Sequence, residues 1–215
     1  MTDNTPLPSL VDQRVAQLFA LVREALAGAT ESLLDLEPEV GRAIVDADRV
    51  IDDLTSEVDT IIWQEIEAGS ISADELRHFL SVLLIVPELE RSADLAEHIA
   101  QRAVRSVGAE MTPVSRGLVQ RMSEIALEMW SAAADSYADR SARVTALEEA
   151  DIELDILHER LTREIGTSDM SNPVTTEVTL IARFYERLGD HAVNLARRIA
   201  TLPEVRARRG RVPEG

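Results

Sequence analysis

The 215-residue chain has no cysteine and no lysine. Without cysteine there can be no disulfide, no thiolate metal site and no thiol nucleophile, so a bound metal would have to rely on oxygen and imidazole ligands. Without lysine there is no phosphate-loop lysine and no Schiff base, and all 22 basic residues are arginine. Aromatic residues make up only 3% of the chain. Aliphatic side chains and alanine must therefore fill the core, which favours helix bundles over β-sandwiches. No apolar run is long enough to span a bilayer. The opening residues, MTDNTPLPSL, lack the basic and apolar regions of a secretory signal, so a cytoplasmic protein is expected.

The 45% hydrophobic content suffices for a packed core, in one large or two small domains. The net charge of −17 should repel nucleic-acid phosphates and anionic lipid headgroups, so no direct nucleic-acid binding is expected. Arg206, Arg208, Arg209 and Arg211 break this trend. They mark residues 204–215 as a basic tail, expected to be a solvated, disordered end.

Hydrophobic periodicity predicts six long helices. Val11, Val15, Leu18, Val22, Ala25, Ala29 and Leu33 form one stripe from Ser9 to about Leu34, which Glu37-Pro38 ends. A second helix runs from about residue 39 to 67, with Ile44, Ile51, Leu54, Val58 and Ile62 on its stripe and Gly69 at its end. Ser72 and Glu75 form a capping box for a third, running to about Val107 and ending at Gly108, with a kink expected at Pro87. The plan recurs after Thr112-Pro113, with a fourth helix carrying Val114, Leu118, Met122, Ile125 and Met129, a fifth over about 141–165, and a sixth from Asn172-Pro173 to near Leu202-Pro203.

Self-comparison makes this a tandem repeat. An offset of 103 carries Val15 onto Leu118, Val22 onto Ile125, Asp48 onto Asp151 and Asp52 onto Asp155. An offset of 96 carries Glu90 and Asp94 onto Glu186 and Asp190. The expected architecture is all-α, two three-helix bundles over residues 1–108 and 109–203.

Each repeat thus carries an Asp-x-x-x-Asp pair on its second helix and a Glu-x-x-x-Asp pair on its third: Asp48/Asp52, Glu90/Asp94, Asp151/Asp155 and Glu186/Asp190. Residues four apart share a helix face, where like charges cost about 0.2–0.5 kcal/mol per pair. If the two helices of a unit pack side by side, four carboxylates share one region. Like charges at about 4 Å repel by about 4 kcal/mol at an effective dielectric near 20. Such a cluster must protonate or bind a cation. An oxygen-rich set suits ferric iron, manganese, magnesium or calcium, with zinc also possible. Among 39 acidic residues one such pair on a solvated face is commonplace. Four at repeat-equivalent places are not. Arg91 and Arg187 are placed either to pair with these acids or to bridge elsewhere on the surface. Imidazole is scarce: His98 matches Asn194 in the repeat, His191 should point away from Asp190, and His78 and His158 have no counterpart.

The run ERLGDHAVNLARRI (residues 186–199) resembles the signature of the PhoU family, and ADIELDILH and DADRVIDDL resemble its D-x-x-apolar-D element. The resemblance spans about residues 10–202, tandem repeat included. It implies two similar three-helix bundles that bind multinuclear iron or zinc clusters, with Asp48, Asp52, Glu90, Asp94, Asp151, Asp155, Glu186 and Asp190 as ligands. It further implies a negative regulator of phosphate uptake and the phosphate-starvation response. Such a regulator links the ATPase subunit of a phosphate ABC transporter to a sensor histidine kinase, and meets the membrane only through these partners. The first repeat departs from the signature, reading Glu90-Arg-Ser-Ala-Asp-Leu-Ala-Glu-His98, so the second is the better match.

Three readings compete. A non-enzymatic adaptor, expected to form a homodimer through exposed helix faces, fits the lack of a nucleophile set or glycine-rich phosphate cradle. A carboxylate-bridged di-iron enzyme or iron store would use Glu-x-x-His motifs on two helices. The chain has one such motif, Glu75 to His78, matched in the repeat by Ser171 and Val174. A metal-free structural bundle is the third.

Overall fold

A computed structural model of the chain describes residues 7–203, so the basic tail expected over 204–215 lies outside the described residues. Among the described residues there are seven helices and no strand: α1 (Leu7–Asp35), α2 (Pro38–Ala68), α3 (Ala73–Val104), α4 (Val107–Glu110), α5 (Pro113–Ala138), α6 (Val144–Thr167) and α7 (Asn172–Ile199).

The helix boundaries follow from local chemistry. Gly69 ends α2 in the left-handed conformation, at φ 68°. Ser72 and Glu75 form the expected capping box, the Glu75 carboxylate accepting the Ser72 amide at 2.8 Å. Thr112 caps α5 by accepting the Ser115 amide at 3.0 Å. α3 continues as helix through Pro87.

One boundary differs from the expectation. The third helix stops at Val104 rather than at Gly108, because Ser106 adopts φ 60° and breaks the run. Gly108 lies inside the short α4, where a side chain would overlap the Leu33 carbonyl oxygen at the end of α1. This glycine therefore permits a close approach of two backbones and is not a cap. Arg116 holds the same corner, donating to the Gly108 carbonyl at 2.7 Å and to the Leu34 carbonyl.

The helices α1, α2 and α3 pack on one another, as do α5, α6 and α7. The two groups meet through α1 against α5 and α3 against α7. Both pairings are antiparallel. Asp12 and Thr30 on α1 reach Tyr137 and Ser123 on α5, while Glu88 and Arg102 on α3 reach His191 and Glu177 on α7. Repeat-equivalent helices thus face each other in opposite directions, as an approximate two-fold requires. The inner four helices bury two faces each, and α2 and α6 lie outside with one buried stripe each. A single apolar core runs through both groups, with Trp130, Tyr185, Phe79, Leu18 and Leu26 completely enclosed.

Three polar networks stitch this inner interface. Thr30 and Tyr185 share a 2.7 Å hydrogen bond, and Ser123 donates to Thr30 at 3.0 Å. Asp12 accepts from Tyr137 at 2.5 Å and from Arg140, and lies 3.1 Å from His78 Nε2. Burial opposes ionisation of Asp12, but the hydrogen bonds from His78, Arg140 and Tyr137 outweigh it and lower the carboxyl to about 2. Glu88, only 4% exposed, meets His191 Nδ1 at 2.5 Å and accepts from Arg198 at 2.8 Å. There too burial resists the charge, and the bonds from His191 and Arg198 hold the carboxyl below its ordinary value.

Two glycine substitutions test this packing. Gly108→Ala should lower stability by about 1–3 kcal/mol through the forced shift of α4 against α1. Gly117→Ala, on an exposed turn of α5 with nothing within 4 Å, should raise it by about 0.5–1 kcal/mol. Urea titrations of both variants read the two signs directly.

Candidate functional site

In each unit the outer helix lays its acids beside those of its neighbour: α2 beside α3, and α6 beside α7. The rotation of α2 follows from its buried stripe of Ile51, Leu54, Val58 and Ile62, which leaves Asp48 half-buried and Asp52 exposed on the flank. The same pattern recurs at all four pairs. Asp48, Glu90, Asp151 and Glu186 are half-buried; Asp52, Asp94, Asp155 and Asp190 are exposed.

The electrostatics agree with this placement. Burial first, and then the charges of Asp52, Glu97, Asp94 and Glu90, push Asp48 up to about 6. Burial and the charges of Asp155, Asp190 and Glu186 do the same to Asp151, also to about 6, against the pull of Arg197. Glu90 is raised by burial, Asp94, Asp52 and Asp59, with Arg91 opposing. Asp94 is raised by burial, Asp52 and Glu97, with His98 opposing. Glu186 is raised by burial, Asp190 and Asp155, with Arg183 and His158 opposing. The eight acids identified from the sequence therefore gather as two groups of four, one per unit.

Local packing sets the distance between rows. At Gly189 on α7 an added Cβ would lie 2.6 Å from Asp151 Oδ1 and 2.6 Å from Leu154 Cδ2. The missing side chain lets α6 settle onto α7 and brings Asp151 over the Glu186/Asp190 turn. The first unit has Ala93 at the equivalent place, 2% exposed.

Neighbours that the spacing did not reveal also shape the rows. Glu97 and Asp59 add charge to the first unit, and burial raises Asp59 as well. Arg183 pairs with Glu186 in the second unit. Arg91 sits 3.7 Å from Glu88, and His98 lies against the Phe184 ring at 5.4 Å between centroids. The repeat offset holds the signal for the first three: Glu97, Asp59 and Pro87 stand where Val193, Thr162 and Arg183 stand in the second unit. His191 points away from the acids onto Glu88, as expected. The Glu75-to-His78 motif gathers no ligands. Glu75 is spent on its cap, and His78 is buried beside Asp12.

The donor set suits a hard cation: it is all oxygen, mutually repelling and partly desolvated. Glu186 Oε2 is buried without a hydrogen-bond partner while its other oxygen holds Arg183, so one carboxylate oxygen is left for a cation to satisfy. The carboxylates run as rows and do not converge on a point. Among the described residues no three His, Asp or Glu side chains form a ready-made metal cage. Side-chain rotation would have to accompany binding. No helix among the described residues is long and apolar enough to cross a membrane.

Comparison with known proteins follows the same two units. The family model for the PhoU domain matches residues 15–103 and again 119–199. A phosphate-specific transport system accessory protein PhoU homolog of Zymomonas mobilis is 32% identical over 190 residues, covering 85% of this chain and 78% of the relative. The homolog of that name from Rhizobium meliloti is 28% identical over 193 residues, covering 87% and 81%. The crystal structure of PhoU from Pseudomonas aeruginosa superposes with a TM-score of 0.84 at 24% identity, covering 93% of this chain and 97% of that one.

The raised carboxyls carry a pH signature. A group whose folded pKa of about 6 exceeds its ordinary 3.8 contributes stability that is full at low pH and lost as pH rises through 6. Chelator-treated protein should therefore melt a few degrees higher at pH 5 than at pH 7. Asp48→Asn with Asp151→Asn should flatten that difference. Asp12 and Glu88, with lowered values, act at lower pH and do not cancel it. Calorimetry across this range checks the slope.

Proposed function

Because this chain belongs to the PhoU family, we propose that it is a non-enzymatic, cytoplasmic accessory protein of phosphate transport that represses phosphate uptake and the phosphate-starvation response. The carrying observation is the pair of repeat-equivalent carboxylate rows, Asp48/Asp52/Glu90/Asp94 and Asp151/Asp155/Glu186/Asp190, half-desolvated and repelling at the protein's surface. Iron or zinc is the expected occupant, with manganese or magnesium as weaker candidates. A bound cation would supply charge neutralisation there. The chain's own contribution is to hold the rows parallel, keep their inner acids partly dry and couple their spacing to the packing of α2 on α3 and α6 on α7.

Regulation of this kind requires two states that partners bind differently. In this reading, neutralised rows let the outer helices close on the inner ones, and unneutralised rows push them apart. A transporter ATPase subunit, a sensor histidine kinase or a second copy of the chain would read the difference. Exposed apolar residues on the outer surfaces, Leu76, Leu80 and Leu84 on α3 and Ile152 and Ile156 on α6, offer contacts for such partners.

Elemental mass spectrometry of the untagged protein should find stoichiometric metal, lost in an Asp151/Asp155/Glu186/Asp190→Ala variant. In cells lacking their own copy, the wild type should restore repression of a phosphate-starvation reporter and the variant should not. Full repression by a metal-free variant would remove the rows from the regulatory role.

A further inference from the structure

We propose that the cleft between α1, α2 and α3 of the first unit binds an aliphatic polyamine. The cleft encloses about 300 Å³. Its walls are apolar, with Leu21 and Ala25 from α1, Ile44 and Ala47 from α2, and Ala93 from α3. Three carboxylates also line it, Glu24, Asp48 and Glu97, and no basic side chain does so among the described residues. A neutral apolar guest would leave three carboxylates unanswered, and a bare inorganic cation would gain nothing from the walls. A methylene chain carrying ammonium groups satisfies both.

The repeat shows that this cleft is specific to the first unit. At the positions of Leu21, Ala25 and Val50 the second unit has Glu124, Glu128 and Glu153, and at those of Glu24 and Glu97 it has Leu127 and Val193. Apolar and acidic positions have changed places around an aspartate present in both, Asp48 and Asp151. The cleft is thus more than a copy of the shared acidic rows. Of the four row carboxylates only Asp48 lines the cleft, with Glu97 as a neighbour shared by both features, and the inference does not depend on a metal.

Glu97 lines the cleft with its charge incompletely answered. It accepts from Gln101 Nε2 at 2.8 Å and lies 3.4 Å from His98 Nδ1, both neighbours on its own helix, and among the described residues no arginine pairs with it. Its charge is felt at Asp48 across the cleft. The two carboxylates and Glu24 therefore present negative charge on more than one side of a narrow apolar slot, which matches amines separated by methylenes better than a single ammonium.

Isothermal titration of the full chain at physiological salt, after chelation, is the test, with spermidine, butane-1,4-diamine and octane-1,8-diamine as probes and added sodium chloride as the competitor. One spermidine should bind per chain. Glu24→Gln and Glu97→Gln should each weaken it about tenfold. Ala25→Leu, which fills the slot, should abolish it, and Glu128→Gln in the second unit should leave it unchanged. Octane-1,8-diamine should bind more tightly than butane-1,4-diamine. Thermal melts of each variant separate a lost site from a lost fold, and the near-isosteric Glu97→Gln is the deciding variant. Absence of binding, equal weakening by Glu128→Gln, or displacement by sodium chloride at matched ionic strength would overturn the proposal. The last two would reduce the effect to counterions on an acidic surface.

Discussion

Everything outward-facing in this molecule depends on the double burial of α1, α3, α5 and α7. Each inner helix packs on a partner within its unit and on an antiparallel partner across the interface. Their rotations are consequently fixed from two sides. The outer helices then have one buried stripe apiece, and that stripe decides where their acids stand. Asp48 and Asp151 sit on the flank of a stripe and not at its centre or back. They are therefore half-dry, and close enough to Glu90/Asp94 and Glu186/Asp190 to feel them. The acidic rows are a consequence of aliphatic packing. Hydrophobic burial provides the free energy that holds like charges together.

The same interface distinguishes two units that share a plan. Glu88 on α3 corresponds to Phe184 on α7, and His191 corresponds to Leu95. On one side of the approximate two-fold a buried carboxylate meets His191 and Arg198. On the other, Arg102 lies over the Phe184 ring at 4.9 Å and reaches Glu177 at 3.0 Å. If α3 paired with another α3, Glu88 would face Leu95 in place of His191, and Arg102 of the second helix would stand where Arg198 stands. Losing one hydrogen bond to a buried carboxylate costs about 1–3 kcal/mol. Two chemically unlike contacts thus favour pairing of unlike units, a protection that tandem repeats need against misassembly.

Much of this was legible in the sequence because helices advertise themselves locally. Period and caps mark six long helices, the Ser72–Glu75 spacing forms its capping box, and the repeat offset picks out four acidic pairs. Comparison with relatives then bore out the resemblance to PhoU carried by residues 186–199. What was missed depends on contacts between distant residues. Gly108 looks like a helix stop in sequence, yet the stop is Ser106 and the glycine answers to Leu33, far away in the chain. Glu88 reads as one more acid in an acidic helix, and only the fold gives it His191. Glu97 fell outside the i,i+4 pattern, although its exchange for Val193 in the second unit was visible by the same offset that revealed the pairs.

That offset also separates motif match from electrostatic surroundings in the two rows. The signature is cleaner in the second unit, which made it the better match by sequence. Asp48 and Asp151 are raised alike, to about 6, but by different surroundings. The first unit has Glu97 for Val193 and Asp59 for Thr162, and it lacks Arg183 and Arg197, whose places are taken by Pro87 and Gln101. In the second unit Arg183 already engages Glu186, and Arg197 opposes the rise at Asp151. Positive charge thus already stands within the second row, whereas in the first Arg91 opposes the rise at Glu90 and His98 that at Asp94. Motif fidelity and field strength are separate properties. The motif records which side chains face one another, and the field depends on every charge the fold brings near them.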